Sequence, residues 1–271
     1  MAVADEADTN IKPDVLCGVN DTYSPILSLL TGKKSINFVD DDIWMLNSLI
    51  YLTFSSLLVT PYNFRINVRN NHIKYKGIHE LAYLHPNQNK QDVSNKRVKL
   101  KRPRIIFRLV GWFAAHDIGH KGISIKSLSN FIKKVENNVD ILISSERELP
   151  IEFEKYKMNI LSSDFHNYLA SASLVFTDSQ TTSTEASLLG TPVIRTNSFV
   201  GKADLSNFHL LGNKYGLIYN IDNEEIAFRL ASIILNDYKA YKSKHKLRRD
   251  VFINNSIDVT NFSVKTILGE T

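Results

Sequence analysis

Short apolar runs alternate with amphipathic stretches along almost the whole chain, and this alternation constrains the fold more than any other feature. Strands rich in Val, Ile and Leu that are separated by helices are typical of parallel sheets covered on both faces. The sequence therefore predicts an α/β protein. The predicted strands are Val15–Val19, Ser35–Val39, Ser56–Thr60, Ile105–Val110, Asp140–Ser144, Leu174–Thr177, Pro192–Thr196 and Leu217–Ile221. The predicted helices are Tyr23–Leu30, Ile43–Phe54, Ser124–Val135, Asp164–Ala170, Ser183–Leu189 and Glu224–Leu235.

A polar, basic stretch at residues 87–104 separates two series of these elements and is typical of an interdomain linker. We therefore predict an N-terminal Rossmann-like domain over 1–86, a basic linker over 87–104 and a C-terminal Rossmann-like domain over 105–271. The first series offers only three clear strand–helix units, whereas a doubly wound sheet has about six strands. The first domain is therefore expected to be incomplete at its N-terminus.

The charge pattern and the single cysteine narrow the class of protein. Cys17 alone allows neither an internal disulfide nor a thiol metal site, and the acidic N-terminus does not resemble a signal peptide. No stretch approaches the roughly 18 apolar residues of a membrane-spanning helix. The net charge of the chain is +5. Its basic residues cluster in two runs, Lys90–Arg104 and Lys239–Arg249, and each run is interpreted as a solvated linker or helix face. Neither run has aromatic residues interleaved at stacking distance, so no nucleic-acid partner is expected. The expected location is cytoplasmic, with peripheral attachment at the inner membrane face as the alternative.

The strongest candidate binding segment is Val175–Arg195, in which a strand ends at Thr177 and a helix follows a polar turn. Free backbone N–H groups at such a helix start can bind phosphate at the carboxyl edge of the sheet. The alternative is an ordinary turn with Ser/Thr capping. The candidate nucleotide-sugar-binding residues are Asp178, Ser179, Gln180, Thr181, Thr182 and Glu185.

Other polar residues follow predicted strands of the second domain. Arg108, His120, Ser145 and Glu148 are further candidates for ligand binding. His116 and Asp117 are candidate catalytic acid–base groups. The loop that carries them lacks a full ligand set for zinc, so no metal site is predicted, and loop hydrogen bonding is the alternative role.

Two acidic residues follow strands of the first domain. Asp21 and Asp40 are candidate catalytic acid–base groups or binders of sugar hydroxyls. Their alternative role is to cap the helices that follow.

Four segments carry a family resemblance: KYKGIHELAYLHP at 74–86, RLVGWFAAHDIGHKGIS at 108–124, SSERELP at 144–150, and the long segment at 178–220. From Lys12 onward the chain resembles the family catalogued as domain of unknown function 354. That family is similar to GT-B glycosyltransferases and to non-hydrolysing UDP-N-acetylglucosamine 2-epimerases. The resemblance implies a GT-B-like fold with two Rossmann-type domains.

The resemblance carries over to particular positions. The epimerases have a Ser-Gly-Gly turn followed by a Glu that binds the nucleotide. The turn here reads Ser179-Gln180-Thr181 and the Glu is Glu185, so side chains or a shifted turn would have to replace the glycines. Asn20-Asp21-Thr22 and Phe38-Val39-Asp40 resemble epimerase strand ends. Ala114-Ala115-His116-Asp117 lies where the epimerases carry Thr-Ala-His-Arg-Arg.

The resemblance also implies a function. It favours a glycosyltransferase of surface-polysaccharide or glycolipid assembly that uses a UDP-linked sugar donor, no metal and no cofactor. One alternative is a 2-epimerase, and another is a non-catalytic nucleotide-sugar-binding or remnant protein. Full-length relatives begin with further strand–helix units that carry a Gly-rich loop. The chain is therefore expected to be N-terminally shortened and of low activity. A glycan or lipid-linked acceptor, and a partner or missing segment for the first domain, are the other expected partners.

Overall fold

The computed structural model of the chain describes residues 12–42, 46–66, 71–88, 100–111 and 122–270. The strands are β1 Val15–Val19, β2 Lys34–Phe38, β3 Leu57–Pro61, β4 His72–Tyr75, β5 Arg104–Leu109, β6 Asp140–Ser145, β7 Leu174–Thr177, β8 Val193–Arg195 and β9 Tyr219–Asn220. The α-helices are α1 Tyr23–Thr31, α2 Leu46–Phe54, α3 Leu81–Leu84, α4 Ile125–Val135, α5 Phe165–Ser171, α6 Gln180–Leu188, α7 Ser206–His209, α8 Glu224–Asn236, α9 Tyr238–Asn254 and α10 Val259–Leu268. Short 3-10 helices span Ile151–Tyr156 and Ser162–Asp164, and a π-helix spans Leu210–Lys214.

The chain divides into two compact units, each built on one parallel sheet, which confirms the predicted α/β class with two parallel-sheet domains. The first unit comprises Met1–Gln88, Leu205–Asn207 and Asn255–Thr271, and the second comprises Asn89–Asp204 and Phe208–Asn254. The C-terminal residues 255–271 therefore belong with the first unit, whereas the sequence-based boundary assigned them to the second domain.

The first unit has a four-stranded sheet with the order β1-β2-β3-β4. Its inner strands β2 and β3 are almost wholly buried, and the edge strand β1 is half-exposed. This difference follows from sheet position, because only inner strands are covered by neighbours on both sides. The buried cluster of this unit consists of Val39, Tyr51, Leu58, Phe64 and Ile66.

The second unit has a five-stranded sheet with the order β6-β5-β7-β8-β9. Every residue of β7 is buried. An aromatic stack fills the core beside it, with 4.5 Å between the ring centroids of Phe176 and Phe228 and 4.9 Å between those of Phe131 and Phe228. Large aromatic rings bury much apolar surface at low conformational cost, so this stack holds α4 and α8 against the sheet.

The strand register of the second sheet aligns the loops that follow its strands. Leu109 pairs with Ser145, Arg108 pairs with Thr177, and Arg195 pairs with both Thr177 and Asn220. Because all the strands run parallel, their carboxyl ends meet at one edge. The loops after β5, β6, β7 and β8 therefore leave the sheet side by side.

Several observed elements differ from the predictions. The sequence did not predict β4, α3 or α10, and it treated much of α9 as a basic run. Helix α6 begins at Gln180, earlier than the predicted Ser183, because Ser179 caps it. In the described part of the chain, no helix is long and apolar enough to cross a membrane.

Candidate functional site

The turn between β7 and α6 is shaped by hydroxyl groups. The Ser179 Oγ accepts a hydrogen bond from the Thr182 N–H at 3.2 Å, as an N-cap does. The Thr177 hydroxyl accepts from the Ser179 N–H at 2.9 Å and donates to the Arg108 carbonyl at 2.8 Å. Side-chain hydrogen bonds thus hold this turn, which lies where the sequence resemblance aligned the Ser-Gly-Gly turn of the epimerases.

Only the start of α6 opens to solvent. Residues 182–188 are buried, whereas Thr181 is exposed and Gln180 is partly exposed. The first N–H groups of a helix have no acceptor within the helix, and the Ser179 cap serves only that of Thr182. Within the described residues, the amides of Gln180 and Thr181 therefore have no protein acceptor. The helix therefore presents two backbone donors and its positive dipole end at the carboxyl edge of the sheet.

The buried body of α6 satisfies its own polar groups. The Ser183 hydroxyl donates to the Gln180 carbonyl at 2.6 Å, and the Ser187 hydroxyl donates to the Thr184 carbonyl at 2.7 Å. These local bonds cancel much of the cost of burying hydroxyl groups. A polar helix can therefore pass through the core of this unit.

Asp178 connects the loops at the sheet edge. Its buried carboxylate accepts from the Val110 N–H at 2.9 Å, the Ile123 N–H at 3.1 Å and the Arg147 Nη2 at 2.7 Å. The Asn197 side-chain amide donates to the Asp178 carbonyl at 2.9 Å. Because both carboxylate oxygens bind protein groups, the structure places Asp178 as a support for the site and not on its surface.

Glu185 lies on the second turn of α6 and is nearly buried. Its Oε1 lies 3.0 Å from the Nε2 of His166, which is on the neighbouring helix α5. The imidazole thus fixes the orientation of the carboxylate.

Arg108 has its guanidinium held by neighbouring side chains. It donates to the Ser144 hydroxyl at 3.1 Å and forms an ion pair with Glu146. Glu146 also accepts from the Gly111 N–H at 3.0 Å. Arg108 therefore braces the loops after β5 and β6.

The two candidates after β6 differ in their contacts. The Ser145 hydroxyl accepts from the Arg147 N–H at 3.0 Å and donates to the Arg147 carbonyl at 2.9 Å, which closes a local turn. Glu148 is exposed. Both residues line a shallow surface depression.

Arg195, at the end of β8, is among the largest fully buried side chains of the described residues. It donates to the Asn220 Oδ1 at 2.8 Å, forms an ion pair with Asp204 and lies 3.6 Å from the centroid of the Phe208 ring. Burial lowers the pKa of this guanidinium, although Asp204 acts in the opposite direction. The arrangement ties the segment after β8 to the sheet.

Asp21 and Asp40 organise loops of the first unit. Asp21 accepts from the Tyr23 N–H at 2.8 Å and the Ser24 N–H at 2.9 Å, at the start of α1. Burial raises the pKa of Asp21, but the hydrogen bonds from Ser24 and Tyr23 outweigh it and hold the pKa below its ordinary value. Asp40 accepts from the Asn20 side-chain amide at 2.6 Å. Asp21 thus has the contacts of a helix cap.

His116, Asp117 and His120 lie outside the described residues, so their roles stay predictions. Among the residues that are described, no group of three His, Cys, Asp or Glu side chains could hold a metal ion.

Sequence reasoning missed four residues of this site, namely Arg147, Asn197, Arg195 and His166. Arg147, Asn197 and Arg195 lie at or just after strand ends, so the rule that selected the other candidates could have found them. His166 had no such signal, because it lies on α5 and reaches Glu185 only through helix packing.

Comparisons with solved structures fit this architecture. The UDP complex of S. aureus MnaA has a TM-score of 0.68 at 12% identity and covers 100% of this chain and 80% of its own. A Listeria monocytogenes protein described as a candidate UDP-N-acetylglucosamine 2-epimerase has a TM-score of 0.66 at 16% identity, with 100% and 78% covered. The glycosyltransferase SsfS6 of Streptomyces sp. SF2575, in complex with thymidine diphosphate, has a TM-score of 0.58 at 11% identity, with 99% and 72% covered.

At these identities the likeness establishes the fold alone, which is the predicted GT-B-like fold with two parallel-sheet α/β domains. No protein-family model matches the chain, and no curated protein matches it. Membership of domain of unknown function 354 therefore stays a prediction.

Proposed function

We propose that the chain binds a nucleoside-diphosphate sugar at the start of α6 and acts as a glycosyltransferase that needs no metal. The observation that carries the proposal is the open end of α6, where Thr181 is exposed, Gln180 is partly exposed, and their amides have no protein acceptor among the described residues. A buried network around Asp178 supports this end of the helix. Two backbone donors and a helix dipole suit a diphosphate, and they can stabilise the charge that develops on a leaving diphosphate. The donor is proposed to be UDP-linked, with Thr181 and Gln180 at the phosphates.

The proposal assigns Glu185 to the sugar side of the nucleotide. A carboxylate whose orientation is fixed by His166 at 3.0 Å is preorganised to accept hydrogen bonds from two adjacent ribose hydroxyls. Asp178 and Arg108 are positioning residues here, because they hold the loops that border the site.

The first test is thermal unfolding with UDP, with UDP-N-acetylglucosamine and with uridine, each in the presence of a chelator. A ligand at 100 times its dissociation constant adds about 2.7 kcal/mol of stability. We expect the two diphosphates to raise the melting temperature and uridine, which lacks phosphate, to leave it unchanged. The donor site is absent if no diphosphate raises it at millimolar concentration. A shift that needs added magnesium or manganese contradicts metal independence.

The second test is calorimetry of UDP binding to Glu185→Ala. A hydrogen bond to a charged carboxylate contributes about 1.5–3 kcal/mol, so affinity should fall by at least about tenfold. The matched control is Glu225→Ala, an exposed carboxylate in the first turn of α8, which should leave affinity unchanged. Equal affinities in both variants would reduce Glu185 to a structural residue of α6.

A 2-epimerase is the second candidate, favoured by the likeness to the Listeria monocytogenes protein. Incubation with UDP-N-acetylglucosamine separates the classes, because an epimerase produces the 2-epimer without any acceptor. Tight nucleotide binding with neither transfer nor epimerisation would indicate a binding protein.

A further inference from the structure

Helix α9 is the most basic element among the described residues. Its 17 residues carry one acidic side chain, Asp250, and six basic ones: Lys239, Lys242, Lys244, Lys246, Arg248 and Arg249. His245 adds no charge at neutral pH, because burial lowers its pKa to about 4. Six basic side chains and one acidic side chain give α9 a net charge of +5. The net charge of the whole chain is also +5, so the positive and negative charges of the remaining residues cancel.

One face of α9 is fixed to the second unit. Lys242 donates to the carbonyls of Ala170 at 2.7 Å and Ala172 at 2.6 Å, and Arg248 donates to the Gly216 carbonyl at 2.7 Å. Other residues of this face, His245, Phe252 and Ile253, are buried. These contacts determine which side of the helix points outward.

The outward face has an apolar centre. Ala240, Leu247 and Val251 fall within about 40° of one another around a helix of 3.6 residues per turn. Leu247 is 69% exposed and Val251 is 55% exposed, so more than half of each residue's surface is open to solvent. Large apolar side chains in the middle of an exposed helix face favour an apolar partner over water.

Lysines border this centre on both sides. Lys239 and Lys246 lie along one border and Lys244 along the other, and all three are exposed. Asp250 also lies on the outward face, where its carboxylate pairs with Arg249 at 2.9 Å. The net charge of the face therefore stays positive.

We propose that the outward face of α9 docks the protein on an anionic lipid surface. Lys239, Lys244 and Lys246 contact the headgroups, and Leu247 and Val251 enter the boundary between headgroups and acyl chains. An apolar strip flanked by lysines is the pattern of helices that lie in a membrane interface. Nucleic acid is the less suitable partner, because phosphates offer Leu247 and Val251 no apolar contact. The inference goes beyond the proposed function and does not depend on it.

The experiment is co-sedimentation of the full chain with vesicles of phosphatidylcholine, alone or mixed with phosphatidylglycerol. We expect binding only to the mixed vesicles, and weaker binding as salt rises, because salt screens exposed charges. The variant Lys244→Glu/Lys246→Glu should reduce the fraction bound by at least about tenfold. Its matched control, Lys133→Glu/Lys134→Glu on α4, makes the same change in net charge at exposed positions elsewhere and should keep binding.

A second variant separates lipid insertion from charge alone. Leu247→Ser/Val251→Ser keeps every charge and should still lower binding to mixed vesicles severalfold. Thermal unfolding of each variant should match the wild type, because the replaced side chains are exposed. The proposal is overturned if the wild type ignores mixed vesicles, if the α4 control loses as much binding as the α9 variant, or if the serine variant binds fully. Binding of a single-stranded oligonucleotide that depends on Lys244 and Lys246, without vesicle binding, would assign the face to nucleic acid.

Discussion

Helices α6 and α9 are both polar in sequence, yet the fold uses them in opposite ways. Helix α6 is buried from Thr182 to Leu188, whereas α9 lies on the surface and buries only one face. The difference lies in what each side chain can bond to. Serine and threonine hydroxyls reach the carbonyls of their own helix, as Ser183 does at 2.6 Å. A lysine needs acceptors from elsewhere, as Lys242 finds at three positions.

The comparison also explains where ligands can meet the protein. A buried polar helix exposes only its end, so α6 offers a small, directed group of donors. A surface helix exposes a whole side, so α9 offers an extended face. We therefore expect a small anionic ligand at the first and a large surface at the second.

The largest expected effect comes from breaking the buried ion pair beside α6, and an exposed ion pair on α9 provides the comparison. Asp178→Ala removes a fully buried carboxylate that pairs with Arg147 at 2.7 Å, and it should lower the free energy of unfolding by about 3–5 kcal/mol. Asp250→Ala on α9 removes a carboxylate that is 55% exposed and pairs with Arg249, and it should cost about 0–1 kcal/mol. Urea denaturation measures both. Equal losses of unfolding free energy would show that burial does not determine how much each ion pair contributes to stability.

A second test concerns the buried face of α9. Burial, with Arg248 and Lys242 adding to it, lowers the pKa of His245 to about 4, below its ordinary 6.5. As the pH falls, the imidazole of the unfolded chain is protonated before that of the folded chain. The contribution of His245 to the free energy of unfolding is therefore fully present above about pH 6.5 and is lost as the pH drops to about 4. The loss should be about 3 kcal/mol by the end of this range.

The variant His245→Leu should remove most of this pH dependence, whatever its effect on stability at neutral pH. A smaller dependence of the free energy of unfolding on pH should persist, because burial and Lys74 also lower the pKa of His72. Urea denaturation at several pH values in this range provides the check. An unchanged slope in His245→Leu would mean that the imidazole is already hydrated in the folded protein.

The smallest effect is expected at single serines. Ser179→Ala removes the cap of α6 and should lower the free energy of unfolding by about 1 kcal/mol, whereas Ser179→Gly should lower it by only a few tenths. Ser243→Ala, on the exposed face of α9, should change it by less than about 0.5 kcal/mol. Thermal unfolding of the three variants ranks them. If Ser179→Ala matches Ser243→Ala, the hydroxyls do not shape the turn before α6.

Much of the architecture could be predicted because its signals are local. The strand Leu174–Thr177 was predicted to the residue, since a continuous apolar run ends at a polar turn. The candidate turn at Ser179 was found for the same reason. Helix α9 was harder to predict, because Lys242 and His245 lie on its inward face together with Phe252 and Ile253 and interrupt any apolar periodicity. Strand β4 was missed because it has only four residues, and a histidine and a lysine among them leave no clear apolar pattern.

The sequence by itself determined the α/β class, the place of most strands and the position of the candidate site at the end of β7. These follow from hydrophobic period and turn chemistry, which act over a few residues. Only the tertiary structure decided which polar residues of the candidate site are exposed and which are bound by other protein groups. Asp178 is a support because Val110 and Arg147, which lie 68 and 31 positions away in sequence, bind its carboxylate. Such partners meet only when parallel strands bring their carboxyl ends to one edge, and no local pattern encodes which side chains will then be in reach.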